Sequence, residues 1–143
     1  MLAPTRRRST ESKFRLLYLG SDLQMLTAVR KVLTEPDYRL VACADGESAI
    51  LFLRSEIPYQ LLLIDLEWRG MKGLEVARLA HSLRHRKRMP IILVAAATKL
   101  SRELKATARE AGVSECVTKT ADAGVVSQTI RRLIEGQEIR ESG

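Results

Sequence analysis

The sequence has few aromatic residues and no long apolar segment without a charge. Aromatic side chains make up 4% of the 143 residues and hydrophobic residues 45%, so a core must be mainly aliphatic and disorder throughout is excluded. The longest uncharged apolar run, near 91–97, is far too short to cross a bilayer. The apolar stretch after the N-terminal arginines is too brief for a signal peptide. These absences favour a single globular domain with no membrane segment.

Cysteine is also scarce. Cys43 and Cys116 lie in predicted strands and lack any metal-ligand spacing, which favours a reduced, cytoplasmic setting. Buried cysteines more commonly act as small apolar residues than as redox groups. We therefore expect no disulfide and no cysteine-bound metal.

Basic residues outnumber acidic ones, and the formal net charge is +7. One basic cluster is the arginine triplet over 6–8, in a tail that we predict to be disordered. The other spans 84–88, with His81 and His85 nearby, where a helix should be ending. Cations are favoured at a helix C-terminus and stay solvated there, so we interpret this cluster as a solvated helix end. Contact with nucleic acid or an acidic partner is the alternative interpretation.

Short apolar runs alternate with longer amphipathic stretches. Strands are predicted near 14–19, 40–44, 61–66, 91–96 and 116–117, and helices near 23–33, 47–56, 74–87, 101–110 and 125–135. Asp22 and Ser101 are suited to cap two helices, and Gly136 is expected to end the last one. Strands that alternate with helices require right-handed crossovers and a parallel sheet covered on both faces. The prediction is a doubly wound, three-layer α/β fold with a five-stranded parallel sheet and five helices.

Asp65 is the unusual residue at the carboxyl ends of these strands, where ligands bind in such a sheet. It follows four apolar residues, and a carboxylate there is expensive to bury unless it is paired or exposed at a site. Lys119, from a neighbouring strand end, is the expected partner. The two residue types predict either a structural ion pair or a nucleophile with a cation that neutralises a transferred phosphoryl group.

Three segments carry a resemblance to a known family. They are Asp65 with the loop 66–74, the Pro-Ile-Ile sequence at 90–92, and Ala111-Gly112 followed by Lys119. Their combined spacing resembles the receiver domain of bacterial response regulators over about 14–135. The resemblance implies a CheY-like fold with strand order 2-1-3-4-5, a receiver domain over 14–136, a disordered basic tail over 1–13 and a frayed tail over 137–143. It also implies a cytoplasmic signalling module of a two-component phosphorelay, and we expect no enzyme activity.

By this resemblance, Asp65 is the phosphoacceptor for a histidine kinase and Lys119 contacts the phosphate. Family members bind Mg²⁺ with the acceptor and an acidic pair after the first strand, but here those positions hold Gly20 and Ser21. Asp22 follows, and we expect it to cap a helix rather than face the metal. With Asp65 as the one certain carboxylate ligand, Mg²⁺ binding is predicted to be weak or absent.

Four more positions depart from the family pattern. Ala95 stands where a hydroxyl would read the phosphate, and Cys116 where an aromatic side chain would rotate on activation. Arg69 and Thr120 replace prolines. We therefore predict an atypical, or pseudo-, receiver that acts through protein–protein interaction.

The output surface implied by the resemblance covers 100–110, 115–118 and 125–135, namely the fourth helix, fifth strand and fifth helix. Candidate contacts there are Arg102, Arg109, Arg131 and Arg132, whose other interpretation is as solvated helix faces. The expected partners are a histidine kinase, another signalling protein or a second copy of the chain.

Two other functions stay open. One is a working phosphoacceptor at Asp65, in which Glu67 reaches the metal or the attacking water. The other is a nucleic-acid-binding protein that uses its basic clusters. Once the five βα units are assigned, however, no segment is left for a helix-turn-helix or another nucleic-acid recognition motif.

Overall fold

This computed structural model describes residues 13–33, 37–66, 72–119 and 124–142. The strands are β1 (Phe14–Leu19), β2 (Tyr38–Cys43), β3 (Leu61–Asp65), β4 (Ile91–Ala95) and β5 (Glu115–Thr118). The α-helices are α1 (Leu23–Val32), α2 (Gly46–Arg54), α3 (Lys72–Ser82), α4 (Arg102–Glu110) and α5 (Gly124–Ser142). Short 3-10 helices, Arg84–Arg86 and Ala97–Lys99, follow α3 and β4.

The sheet is parallel, with strand order β2-β1-β3-β4-β5. Every residue of β3 and β4 is buried, as expected for central strands covered on both faces. One core cluster packs α1 and α5 against the sheet, and a second packs α2, α3 and α4 against the opposite face. The predicted doubly wound, three-layer fold and its strand order are confirmed.

Asp22 and Ser101 cap two helices as the sequence predicts. Asp22 Oδ1 accepts a hydrogen bond from Met25 N at 3.0 Å, and Ser101 Oγ accepts one from Leu104 N at 3.0 Å. After α4, Gly112 takes a φ of +97°. This left-handed conformation suits glycine and lets two backbone N–H groups bond back to the last carbonyls of α4.

The predicted end of the last helix at Gly136 is wrong, because α5 continues to Ser142. Among the described residues Gly112 alone has a positive φ, so Gly136 does not adopt the left-handed conformation that would end a helix. A single glycine inside a helix costs only about 1 kcal/mol relative to alanine. The predicted boundary between residues 136 and 137 therefore falls inside α5.

The predicted solvated helix end over 84–88 is wrong for Arg86, which is only 3% exposed. Helix α3 stops earlier, at Ser82, and Arg86 lies in the 3-10 helix that follows. Its guanidinium lies over the Tyr59 ring and donates hydrogen bonds to the backbone carbonyls of Phe52, Leu53, Ser55 and Ile57. Carbonyls at a helix C-terminus lack helical partners, so this side chain satisfies the end of α2. The rest of the basic cluster is exposed as predicted.

Several predictions lie outside the described residues. They concern the tail over 1–12, Glu67, Arg69 and Thr120. Within the described ranges, no helix combines the length and apolar character that a membrane span requires.

Candidate functional site

Three strand ends meet at one edge of the sheet. Asp65 ends β3, the central strand, and pairs in register with Val94 of β4. Beyond β1, Gly20 N donates to Cys43 O at 3.1 Å, and beyond β5, Lys119 N donates to Ala95 O at 2.8 Å. The backbone ladders therefore fix where Gly20 and Lys119 lie relative to Asp65.

The Lys119 ammonium lies between two carboxylates. Its Nζ is 2.8 Å from Asp65 Oδ2 and 2.9 Å from Asp22 Oδ2. The Asp65 side chain is only 3% exposed, whereas those of Lys119 and Asp22 are 20% and 28% exposed. The predicted meeting of Asp65 and Lys119 is confirmed. Asp22 caps α1 with one oxygen, as predicted, and also joins the ion pair with the other.

The cluster shifts the pKa values of its members. Burial by itself would lower the pKa of Lys119, but its hydrogen bonds to Asp65 and Asp22 outweigh burial and raise that pKa. The hydrogen bond with Lys119 and then the one from the Met25 N–H lower the pKa of Asp22. Lys119 and Asp22 are therefore charged at neutral pH.

Tyr18 belongs to the site, although sequence reasoning did not place it there. Its hydroxyl donates to Asp65 Oδ2 at 3.4 Å and accepts a hydrogen bond from Asp22 N at 3.2 Å. The residue is 1% exposed, and burial raises the pKa of its phenol, so the hydroxyl stays neutral. The sequence did contain one signal for this role. Tyr18 is the only residue of β1 with a hydroxyl group, and it lies two residues before Gly20.

At the described positions that depart from the family pattern, no carboxylate takes the place of the missing acidic pair. Gly20 is buried beside Tyr18 and Asp65, and Ser21 is exposed. Ala95 is fully buried, and burial raises the pKa of the half-buried Cys116 thiol. Over the ranges that the structure describes, no three His, Cys, Asp or Glu side chains come together in a way that could hold a metal ion.

Known proteins resemble this chain in sequence and in fold. The family model of the response regulator receiver domain matches residues 21–131. The chain belongs to this family. It is a receiver domain of the kind used in two-component systems.

Two curated relatives of this receiver domain are regulatory proteins. The chain is 30% identical over 128 residues to the transcriptional regulatory protein AfsQ1 of Streptomyces coelicolor, covering 89% of this chain and 53% of that protein. It is 28% identical over 120 residues to the regulatory protein VanRB of Enterococcus faecalis, covering 84% and 52%. The receiver domain thus spans about half the length of these relatives.

Solved structures show the same fold at lower identity. A CheY-like receiver domain protein from Methanospirillum hungatei is 23% identical, with a TM-score of 0.76 and coverage of 90% of this chain and 99% of that one. The receiver domain of the sensor histidine kinase PA1611 from Pseudomonas aeruginosa is 19% identical, with a TM-score of 0.70 and coverage of 87% and 99%. The latter has a magnesium ion coordinated in its active site cleft.

Proposed function

We propose that this receiver domain acts in two-component signalling through protein–protein contacts, with weak or absent Mg²⁺-dependent phosphorylation of Asp65. The observation that carries the proposal is the Lys119 ammonium, which lies within 2.9 Å of oxygens of both Asp22 and Asp65. The ammonium pairs with both acids and offsets one of their two negative charges. In this proposal the cluster fixes the strand ends and α1 as a structural ion pair.

The metal-binding and phosphate-sensing groups are also incomplete. Mg²⁺ demands near-octahedral oxygen ligation, and it is the ion that neutralises a transferring phosphoryl group. The cleft of the PA1611 receiver holds that ion, whereas here the first-strand positions are Gly20 and Ser21. At the end of β4, Ala95 has no hydroxyl to donate to a phosphate oxygen.

The proposed interaction surface is the face formed by α4, β5 and α5. A shallow groove of about 460 Å³ on α4 is lined in part by the exposed basic side chains of Arg102, Lys105 and Arg109. Such a groove suits an acidic patch on a histidine kinase, another cytoplasmic signalling protein or a second copy of the chain.

Two arginines first assigned to that surface are engaged within the chain. Arg131 donates to the carbonyl of Val32 in α1 at 3.0 Å, so it reaches away from α4. Arg132 forms an ion pair with Glu115 of β5. Arg102 and Arg109 therefore remain the arginines of the proposed contact.

Incubation with acetyl phosphate and Mg²⁺, read by intact mass, tests the proposal. We expect little or no phosphoryl adduct on the wild type and none on Asp65→Asn, because the ammonium and the missing ligands disfavour the cation. A substantial adduct that Asp65→Asn abolishes would refute the proposal and identify a working phosphoacceptor. A conventional receiver domain treated in parallel verifies the reagent.

A further inference from the structure

We infer that Tyr18 fills the space that a side chain at position 20 would occupy and thereby excludes a divalent cation from the cleft beside Asp65. The inference deepens the proposed function and rests on it. It assigns a specific cause to the loss of metal binding, namely a buried phenol, and not merely a missing carboxylate.

The distances around Gly20 carry the inference. A Cβ built on Gly20 would lie 2.4 Å from the Tyr18 hydroxyl oxygen, 2.6 Å from Tyr18 Cζ and 2.9 Å from Asp65 Cβ. Non-bonded carbon atoms prefer separations of about 3.5–4.0 Å. The tip of the Tyr18 ring therefore stands where the first atom of any larger side chain would be.

Neither partner in this contact can move away cheaply. Tyr18 is 1% exposed and packs in the core cluster between the sheet and α1 and α5. Its hydroxyl is also tied to Asp65 Oδ2 and Asp22 N. The backbone of Gly20 is held in the sheet by its hydrogen bond to Cys43 O. As long as position 18 is tyrosine, position 20 must therefore be glycine.

The phenol is also a poor substitute for the carboxylate that this place would otherwise hold. A phenol, with an ordinary pKa of about 10, is neutral at pH 7, and Mg²⁺ prefers anionic oxygen ligands such as carboxylates. Its one proton is directed at Asp65 Oδ2, the oxygen that also receives the Lys119 ammonium. Tyr18 and Lys119 together occupy the approach to that oxygen, so the described residues do not fit the metal of the PA1611 receiver.

Cation binding in designed variants tests this assignment directly. Gly20→Asp is introduced into the wild type, into Tyr18→Phe and into Tyr18→Leu, and binding of Mg²⁺ and Mn²⁺ is measured by calorimetry and electron paramagnetic resonance. Tyr18→Phe is the matched control, because it removes the hydroxyl and keeps the obstructing Cζ. We expect Tyr18→Leu/Gly20→Asp to bind one cation at least about tenfold more tightly than the other two Gly20→Asp proteins. Equal cation affinity in all three Gly20→Asp proteins would overturn the inference.

A stability cycle tests the same contact without any metal, and it stands even if the aspartate variants fail to fold. We expect Gly20→Ala to lower Tm by about 5 °C or more in the wild type, because the new methyl meets the ring. In the Tyr18→Leu background the same substitution should lower Tm by about 3 °C less than in the wild type, because only the contact with Asp65 Cβ at 2.9 Å remains. Equal losses in the two backgrounds would overturn the inference.

The outcomes separate this inference from the proposed function. Efficient Mg²⁺-dependent phosphorylation of the wild type at Asp65 would refute the proposed function. Equal Gly20→Ala losses in the two backgrounds would refute the role of Tyr18 and leave the interaction module intact.

Discussion

Replacement of Lys119 by methionine probes the ion pair on which the site depends. The change keeps an unbranched side chain of similar length and removes the ammonium that lies 2.8 Å from Asp65 Oδ2. Breaking a buried ion pair by removing one partner costs about 3–5 kcal/mol, because it leaves an uncompensated buried charge. Asp65 is almost fully buried, but Lys119 is 20% exposed and admits some water. We therefore expect a loss at the lower end, about 3 kcal/mol in the free energy of unfolding.

Urea unfolding followed by circular dichroism measures this loss as a lower midpoint with an unchanged slope. Lys105→Met is the matched control, since Lys105 is exposed on α4 and its replacement should change stability by no more than about 0.5 kcal/mol. Lys119→Met should cost much less in an Asp65→Asn background, with a coupling of about 2 kcal/mol between the two substitutions. Equal losses with and without the Asp65 carboxylate would refute the claim that Lys119 stabilises it.

Three other predictions follow from the same structure. Arg86→Met should lower the free energy of unfolding by about 3 kcal/mol or more, measured by thermal unfolding, because it removes the hydrogen bonds that Arg86 donates to four backbone carbonyls, that of the buried Leu53 among them. A loss below about 1 kcal/mol would contradict the assigned role. The lowered pKa of Asp22 means that its pairing with Lys119 stabilises the fold above about pH 3.8, the ordinary value, and that this contribution is lost as pH falls through the lower folded pKa. The stability gap between wild type and Asp22→Asn should therefore be full at pH 7 and shrink in acid, and a gap that widens in acid would exclude this pairing. Burial raises the pKa of the Cys43 thiol to about 11. At pH 8 a disulfide reagent should therefore label Cys116 well before Cys43, as followed by mass spectrometry. The reverse order of labelling would contradict the burial of Cys43.

The ion-pair cluster has a consequence for how the site responds to a partner. Asp22 is the first capping residue of α1, and the same side chain reaches Lys119 at the end of β5. A substitution at Lys119 therefore removes an ion-pair partner both from Asp65 and from Asp22 at the start of α1. We expect substitutions in this cluster to alter stability and partner binding together.

The predicted pairing of Asp65 and Lys119 shows how much of a site a sequence can contain. Asp65 ends β3 and Lys119 directly follows β5. The carboxyl ends of parallel strands share one edge of the sheet, so their meeting followed from strand order. Asp22 was assigned one role, as a cap, although its two oxygens serve two partners. Capping depends on residues three positions apart, whereas the second contact spans most of the domain, and local spacing contains no information about it.

The sequence by itself determined the alternation of strands and helices, the caps at Asp22 and Ser101, and the two charged residues at the strand ends. These features depend on periodicity and on contacts within a few residues, which are read directly from neighbouring letters. Tertiary structure alone decided that Tyr18 reaches Asp65, 47 positions away, and that Arg86 is buried against the end of α2. It also decided that Gly136 continues a helix. The position of a long side chain depends on which distant backbone groups or ring edges surround it, and those neighbours exist only after the sheet and helices have packed together.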